Sequence, residues 1–305
     1  HRHLFCSHPE SAQFTMKYSV KHCTEFDYGM PVISAQQVLR LKPREMFGRQ
    51  TLLQHDINLS IEGTEIQEIQ DYFGNTVHEV RLHTPHKKLR IDSECLVDVI
   101  RRDDFMLDLS PTWESVVKAM EVPQSSEHWQ AAQFCYPSRH IDVDAARDFS
   151  QQFVEPEMPV LRLVLAINQY IHNEFAYTGG VTNVYTEVSE IIAKRIGVCQ
   201  DFAHVAIATI RALGLPARYV SGYILSQIPG QPTLIGAEAS HAWISVFCPK
   251  FGWIDFDPTN DLITSEQHIT LGWGRDYSDI APTRGSILGG GTQALKVDVR
   301  VRPAA

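Results

Sequence analysis

Gly197-Val198-Cys199-Gln200-Asp201-Phe202-Ala203-His204 opens an apolar run that continues to Gly214-Leu215-Pro216. The run reads as a helix that begins near Cys199 and stops at Gly214, because Pro216 cannot extend it. Gly197 permits a sharp turn into the helix and leaves Cys199 in its first turn. Unpaired amide N–H groups and the positive end of the helix dipole there favour the thiolate, the nucleophilic form of cysteine. Cysteine in isolation is more often a small buried residue. Its neighbours decide the reading.

Upstream, Leu161, Val164, Leu165, Ile167, Ile171 and Phe175 fit a helix over 161–175 buried along one side, and another helix fits Glu187–Arg195. Downstream, strands fit Ala217–Leu225, His241–Phe247 and Trp253–Asp257. Helices followed by antiparallel strands predict an α+β domain, with the Cys199 helix packed on an antiparallel sheet.

Two of these strands bring chemistry. Ser240-His241-Ala242-Trp243 supplies an imidazole from a rigid element, and Trp253-Ile254-Asp255-Phe256-Asp257-Pro258-Thr259 presents two acids on one strand face. A carboxylate that fixes the imidazole completes nucleophile, base and orienter: Cys199, His241 and Asp257. Asp255 is the local rival for the third role. Paired residues of an antiparallel hairpin have a constant number sum, so His241 and Asp257 share a face only if the loop has an odd residue count. A three-residue loop, Pro249–Phe251, puts Trp243 opposite Asp257 and His241 on the diagonal. A five-residue loop puts His241 directly opposite, and a two-residue turn separates them unless Gly252 forms a bulge.

Around this set, Trp243 faces the same side as His241 and either covers it or packs in the core. Asp201 and His204, three apart on the helix, read as a structural pair. The Cys199 N–H is the first oxyanion donor, and Tyr177 and Gln200 are the alternatives for a second.

From Met16 to Ile100 short alternating runs between turn residues such as Gly29–Pro31, Gly63 and Gly74–Asn75 predict an antiparallel β-sandwich-like domain with no catalytic role. Residues 101–158, with four prolines and short helical patches, read as a helical connection, and 159–305 as the catalytic domain. Residues 1–15, which carry no secretory-signal pattern, read as an upstream extension or appended residues.

The segments G-V-C-Q-D-F-A-H, S-H-A-W and G-W-I-D-F-D-P-T-N resemble the three core motifs of the bacterial transglutaminase-like superfamily, in its cysteine-protease branch. Arg211–Tyr223 resembles that family's link between catalytic helix and sheet, and Met16–Ile100 its accessory amino-terminal β domain, so the similarity spans about Met16 to Val301. The resemblance implies a transglutaminase/papain-like core with Cys199 as nucleophile, His241 as base and acid, and Asp257 as orienting carboxylate. Thioester chemistry on a peptide or protein amide follows. Hydrolysis of the thioester makes a peptidase or amidase, the preferred reading; capture by an amine makes a transglutaminase. A non-catalytic binding module is the third alternative.

Composition narrows the partners. With 27 Lys plus Arg against 36 Asp plus Glu, a net charge of -9 and no dense basic run, the chain is a poor phosphate-backbone binder, so nucleic acid is not expected. Arg162 and Asn168 interrupt even its most apolar segment, well short of roughly 18 residues, so a membrane span is not expected. No cofactor or metal is implied, because no calcium loop and no C-x-x-C pair is present. Six scattered cysteines suit a reducing, cytoplasmic setting. Oligomeric state is open.

Overall fold

A computed structural model describes residues 15–226 and 234–304. The chain opens with β1 (Thr15–Leu39), followed by β2 (Gln50–Leu59), β3 (Glu65–Gln70), β4 (Thr76–Leu82) and β5 (His86–Ile100). These pair antiparallel in the order β2-β5-β1-β4-β3. β1 merges two runs that the sequence pattern separates at Gly29–Pro31. The expected turn does not form because the backbone there finds distant partners: Gly29 N–H donates to Thr292 O at 2.8 Å and Met30 N–H to Gly290 O at 3.0 Å. The strand bends instead, and its pairing with β5 shifts register between Asp27 and Val32. Both halves of the bent sheet close over one core that includes Phe26, Val32, Leu39, Leu82 and Ile91, giving a sandwich-like half-barrel.

Short helices follow: α1 (Trp113–Glu121), α2 (Ser126–Ala132) and α3 (Arg147–Ser150). Thr112 and Ser125 cap the first two by accepting the N–H groups of Ser115 and His128. Then come α4 (Val160–Glu174), β6 (Ala176–Tyr177), α5 (Val188–Lys194), β7 (Ile196–Gly197) and α6 (Cys199–Ala212). In α6 every residue from Asp201 to Arg211 is buried, so this helix lies at the centre of its domain.

α6 packs on a second antiparallel sheet made of β8 (Ala217–Ile224), β9 (His241–Cys248), β10 (Gly252–Asp257), β11 (Leu262–Ile263) and β12 (His268–Gly274), in the order β11-β10-β9-β8-β12. Ala217, Tyr219, Ala242, Ile244 and Val246 share the core of α6. Each large apolar side chain buried there stabilises the fold by roughly 1.5–3 kcal/mol. A separate core unites Tyr223, Ile269 and Leu271 of this sheet with Tyr18, Val20 and Val97 of the first. With cores on both faces, β8 and β9 are buried at every position.

The expected boundaries need one correction. After α7 (Tyr277–Ile280) the chain leaves the second domain, and β13 (Thr283–Gly289) and β14 (Gln293–Pro303) pair antiparallel with the two halves of β1. Gly289-Gly290-Gly291, all at positive φ, make the turn between them. Residues 283–303 therefore belong to the first sheet. Long-range packing selects β1 as their partner, a choice that local alternation does not specify.

Candidate active site

The N-terminus of α6 is built by Asp201. Its Oδ2 accepts the Val198 N–H at 2.9 Å and the Thr182 hydroxyl at 2.6 Å, which caps the helix from its third position. Gly197 makes this possible, since a Cβ there would lie 2.7 Å from the Asp201 side chain. Cys199 is half-buried as the first helical residue, and among the described residues its N–H has no acceptor. β6 pairs parallel with β7, and Thr178 N–H donates to Gly197 O at 2.8 Å, so Tyr177 lies beside the turn into the helix. Burial first, then the charges of Cys199, Asp201 and Asp257, push the Tyr177 phenol up to about 12. It keeps its proton at neutral pH. Gln200, half-buried, makes no side-chain hydrogen bond among the described residues.

Across the β9–β10 hairpin Gly252 pairs with Cys248 and Phe256 with Ile244, leaving the three-residue loop Pro249–Phe251. Continuing that register puts Trp243 opposite Asp257 and His241 on the diagonal. His241 Nε2 lies 2.9 Å from Asp257 Oδ2, with both side chains wholly buried. Asp257 is saturated with donors. Oδ1 accepts the N–H groups of Thr259 (2.9 Å) and Asn260 (3.2 Å), and Oδ2 also accepts Asn260 Nδ2 (2.8 Å) and His268 Nε2 (3.1 Å).

Burial alone would raise the Asp257 carboxyl, but the charge and hydrogen bond of His241, then those of His268, hold it well below the usual carboxylate range. Burial likewise opposes the His241 imidazolium, yet Asp257 and Cys199 overcome it and lift the ring to about 10. Its Nδ1 has no partner that meets hydrogen-bond geometry, although the Cys199 side chain is close enough to act on the ring. That nitrogen is therefore available on the thiol side.

Asp255 is not beside His241. Its Oδ2 accepts the Trp243 indole N–H at 3.2 Å, and the Trp243 ring, fully buried, stacks on His241 with centroids 6.2 Å apart. Trp243 thus both packs in the core and backs the imidazole. Asp201 and His204 have separate tasks: His204 stacks on His140 and accepts the Tyr277 N–H through Nε2. Burial holds its ring neutral, down to about 3.

Four participants have no role assigned from the sequence, although Asn260 closes the third motif and Gly222 lies in the Arg211–Tyr223 segment. His268 and Asn260 both grip Asp257. Gly236, at φ 91°, faces His241 so closely that a Cβ would lie 2.7 Å from Nδ1. Gly222, paired with His241, leaves room for the Trp243 ring and the Ile269 carbonyl. The glycines carry a local signal as breaks in apolar strand and loop patterning, and Asn260 carries one by its place in the third motif; His268 carries none. His241, His268 and Asp257 also offer three ligand atoms within 4.8 Å of one another, a composition seen in metal sites; both Nε2 atoms are engaged with Oδ2.

A cleft of about 670 Å³ adjoins the site, lined by Tyr177, Gly236, Ser240 and, from β14, Val297–Arg300 and Arg302. Strand β14 is tied to it by the Val299 N–H bond to Glu238 O at 3.1 Å. Hence the first sheet forms one wall of the cleft.

This arrangement has close relatives. An uncharacterized protein of Mycobacterium tuberculosis is 34% identical over 296 residues, covering 94% of this chain and 92% of that protein. The transglutaminase-like superfamily core matches residues 147–258, and the bacterial transglutaminase-like N-terminal region matches residues 18–98. The chain belongs to the transglutaminase-like superfamily. Within it, a Cytophaga hutchinsonii protein assigned by inference as a cysteine protease shares the fold, with a TM-score of 0.77 at 22% identity over 96% of this chain and 92% of its own. A protein-glutamine gamma-glutamyltransferase of Pseudomonas aeruginosa is 30% identical over 118 residues, 37% of this chain and 17% of that enzyme.

Proposed function

We propose that this transglutaminase-like protein is a cysteine-dependent peptidase or amidase whose nucleophile is Cys199. One observation carries the reading: the His241–Asp257 bond fixes the ring through Nε2 and leaves Nδ1 for the thiol. His241 in its imidazolium form is the counter-charge to the attacking thiolate. Attack on an amide carbonyl gives a tetrahedral oxyanion, for which the Cys199 N–H is one donor and the Tyr177 hydroxyl the second. Collapse expels the amine with the His241 proton and leaves a thioester. Water, deprotonated by His241, then releases the acid and restores the thiol.

The similarity to a glutamyltransferase favours a second reading, in which an amine replaces water in the last step. The substrate in either case is a peptide or protein amide in the cleft beside β14; nucleic acid and membrane have no part. Cysteine usage favours a cytoplasmic setting. Peptide libraries incubated with wild type and Cys199→Ala, with and without a primary amine, and read by mass spectrometry test all of this. Cleavage products lost in the variant support hydrolysis. Amine adducts in place of free acid establish transfer, and no turnover by wild type across the library overturns both.

A further inference from the structure

A cavity of about 680 Å³ opens away from the catalytic groups, lined by the 44–49 connection between β1 and β2, the segment around Arg102 and residues of the second sheet. Its wall holds a stack of alternating cations and indoles. The Arg218 guanidinium carbon lies 3.7 Å from the Trp273 ring centre and 4.0 Å from that of Trp253, while Arg44 lies 3.6 Å from Trp273. Two guanidinium carbons cannot occupy one ring face at those distances, so the order is Arg44, Trp273, Arg218, Trp253.

Arg218 is 6% exposed, yet among the described residues it makes no hydrogen bond and no ion pair, and its Nε is buried without an acceptor. Arg211 provides the contrast. Equally buried at 3%, it donates to the carbonyls of Tyr136, Ala217 and Arg275, as a structural arginine does. An orphaned buried donor costs about 1–3 kcal/mol. Asp255 acts on it through charge alone, outside hydrogen-bond and ion-pair range. Arg218, Ser245 and Asp255 form one row across β8, β9 and β10, but Ser245 Oγ and Asp255 Oδ1 are also unpartnered. The lining besides Arg218 carries four arginines against three carboxylates, and its rim carries Phe47 fully exposed to solvent.

We propose that this cavity binds an organic carboxylate, its two oxygens held by the Arg218 fork and its apolar body set against the exposed surfaces of Trp253, Trp273 and Phe47. Planar guanidinium matches planar carboxylate in two parallel hydrogen bonds. Indoles on both faces confine that fork to one plane, which selects against a tetrahedral anion. Exposed aromatic surface beside the charge selects for an apolar body.

Calorimetric titration of the full chain with N-acetyl-phenylalanine, its uncharged amide and inorganic phosphate tests the site. The carboxylate is expected to saturate and to bind at least about tenfold more tightly than the amide or phosphate. Arg218→Gln, verified as folded by circular dichroism, is expected to weaken carboxylate binding by at least about tenfold. Because that variant can fail to fold, hydrogen exchange of the wild type supplies a second readout. Backbone amides near Trp253 and Trp273 are expected to slow with the carboxylate and not with the amide. Absence of saturation, equal affinity for the amide, tighter binding of phosphate, or protection confined to the triad cleft each overturns the proposal.

Discussion

The indole N–H of Trp243 donates to Asp255 Oδ2 at 3.2 Å. Of the two acids on one strand face, this bond occupies Asp255, while Asp257 lies against the imidazole. Replacing Asp257 by Asn is therefore expected to lower turnover by roughly 10²–10⁴-fold, through loss of the charge and donor pattern that orient His241. Asp255→Asn is expected to keep turnover within about threefold, while losing about 1–3 kcal/mol of stability as Trp243 loses a charged acceptor and Arg218 a nearby charge. Parallel kinetics and denaturant melts of the two variants check this. Equal catalytic losses would return the assignment to dispute.

Thiol reactivity supplies an independent check on the nucleophile. Burial raises Cys95 and Cys135 to about 12 and also lifts Cys23 and Cys248. Iodoacetamide at pH 6.5 is expected to label Cys199 at least about tenfold faster than these four, as thiolate fraction governs the rate. Peptide mapping over time reads the order directly. Faster labelling of any of the four removes the chemical basis of the assignment.

Buried imidazoles make stability depend on pH in both directions. Burial pulls His22 down to about 4 and His204 to about 3. Their folded values lie below the unfolded value of about 6.5, so the stability they contribute is complete above about 6.5 and is lost as pH falls toward 4. His241, raised to about 10, has the opposite sign: its contribution is complete below about 6.5 and is lost as pH rises toward 10. Each group changes stability by up to about 1.4 kcal/mol per pH unit within its window. Thermal melts from pH 4 to 10 are expected to peak between these limbs, and His241→Gln is expected to flatten the alkaline limb alone. A Tm that keeps rising through pH 9 contradicts the raised imidazole.

Gly236 offers a steric test of the nitrogen left for the thiol. Its φ of 91° disfavours any side chain, and a Cβ would reach within 2.7 Å of His241 Nδ1. Gly236→Ala is expected to cut turnover by at least about tenfold with a stability loss of only about 1–3 kcal/mol. Activity and melting curves measured together distinguish this from general unfolding. Wild-type turnover in the variant places Nδ1 elsewhere.

What the sequence discloses follows from how local each determinant is. Cys199 is legible because a glycine, a helix start and an apolar run are contiguous. His241 and Asp257 are legible as candidates because one short hairpin joins them, whereas the three-residue loop that fixes their phase is seen only in the fold. Strand β14 pairs with Tyr18–Tyr28 across more than 250 residues of chain, and no local pattern specifies that choice. Arg218 looks like an ordinary strand arginine until the fold brings Trp253 and Trp273 to its two faces. Long-range register hides it, as it hides His268.

His268 begins β12, at the far edge of the catalytic sheet, yet its Nε2 reaches the same Asp257 oxygen that holds His241. Its ring meets Trp243 edge-on at 5.2 Å, so the tryptophan that backs His241 also fixes the angle of His268. This geometry assigns it a positioning role: it anchors Oδ2 and competes with His241 for that oxygen's charge. Removing the anchor frees the carboxylate to rotate, and His268→Gln is expected to lower kcat roughly tenfold with little change in KM. Removing the competitor concentrates the Asp257 charge on His241, so the alkaline limb of the rate profile is expected to move to higher pH. A purely structural role predicts a different outcome. It would lower melting temperature and the fraction of active molecules, but turnover per reactive Cys199 and the position of the alkaline limb would stay at wild-type values. Counting active sites by Cys199 alkylation before recording the pH profile separates the two, and an unmoved limb with full turnover per site removes His268 from the catalytic apparatus.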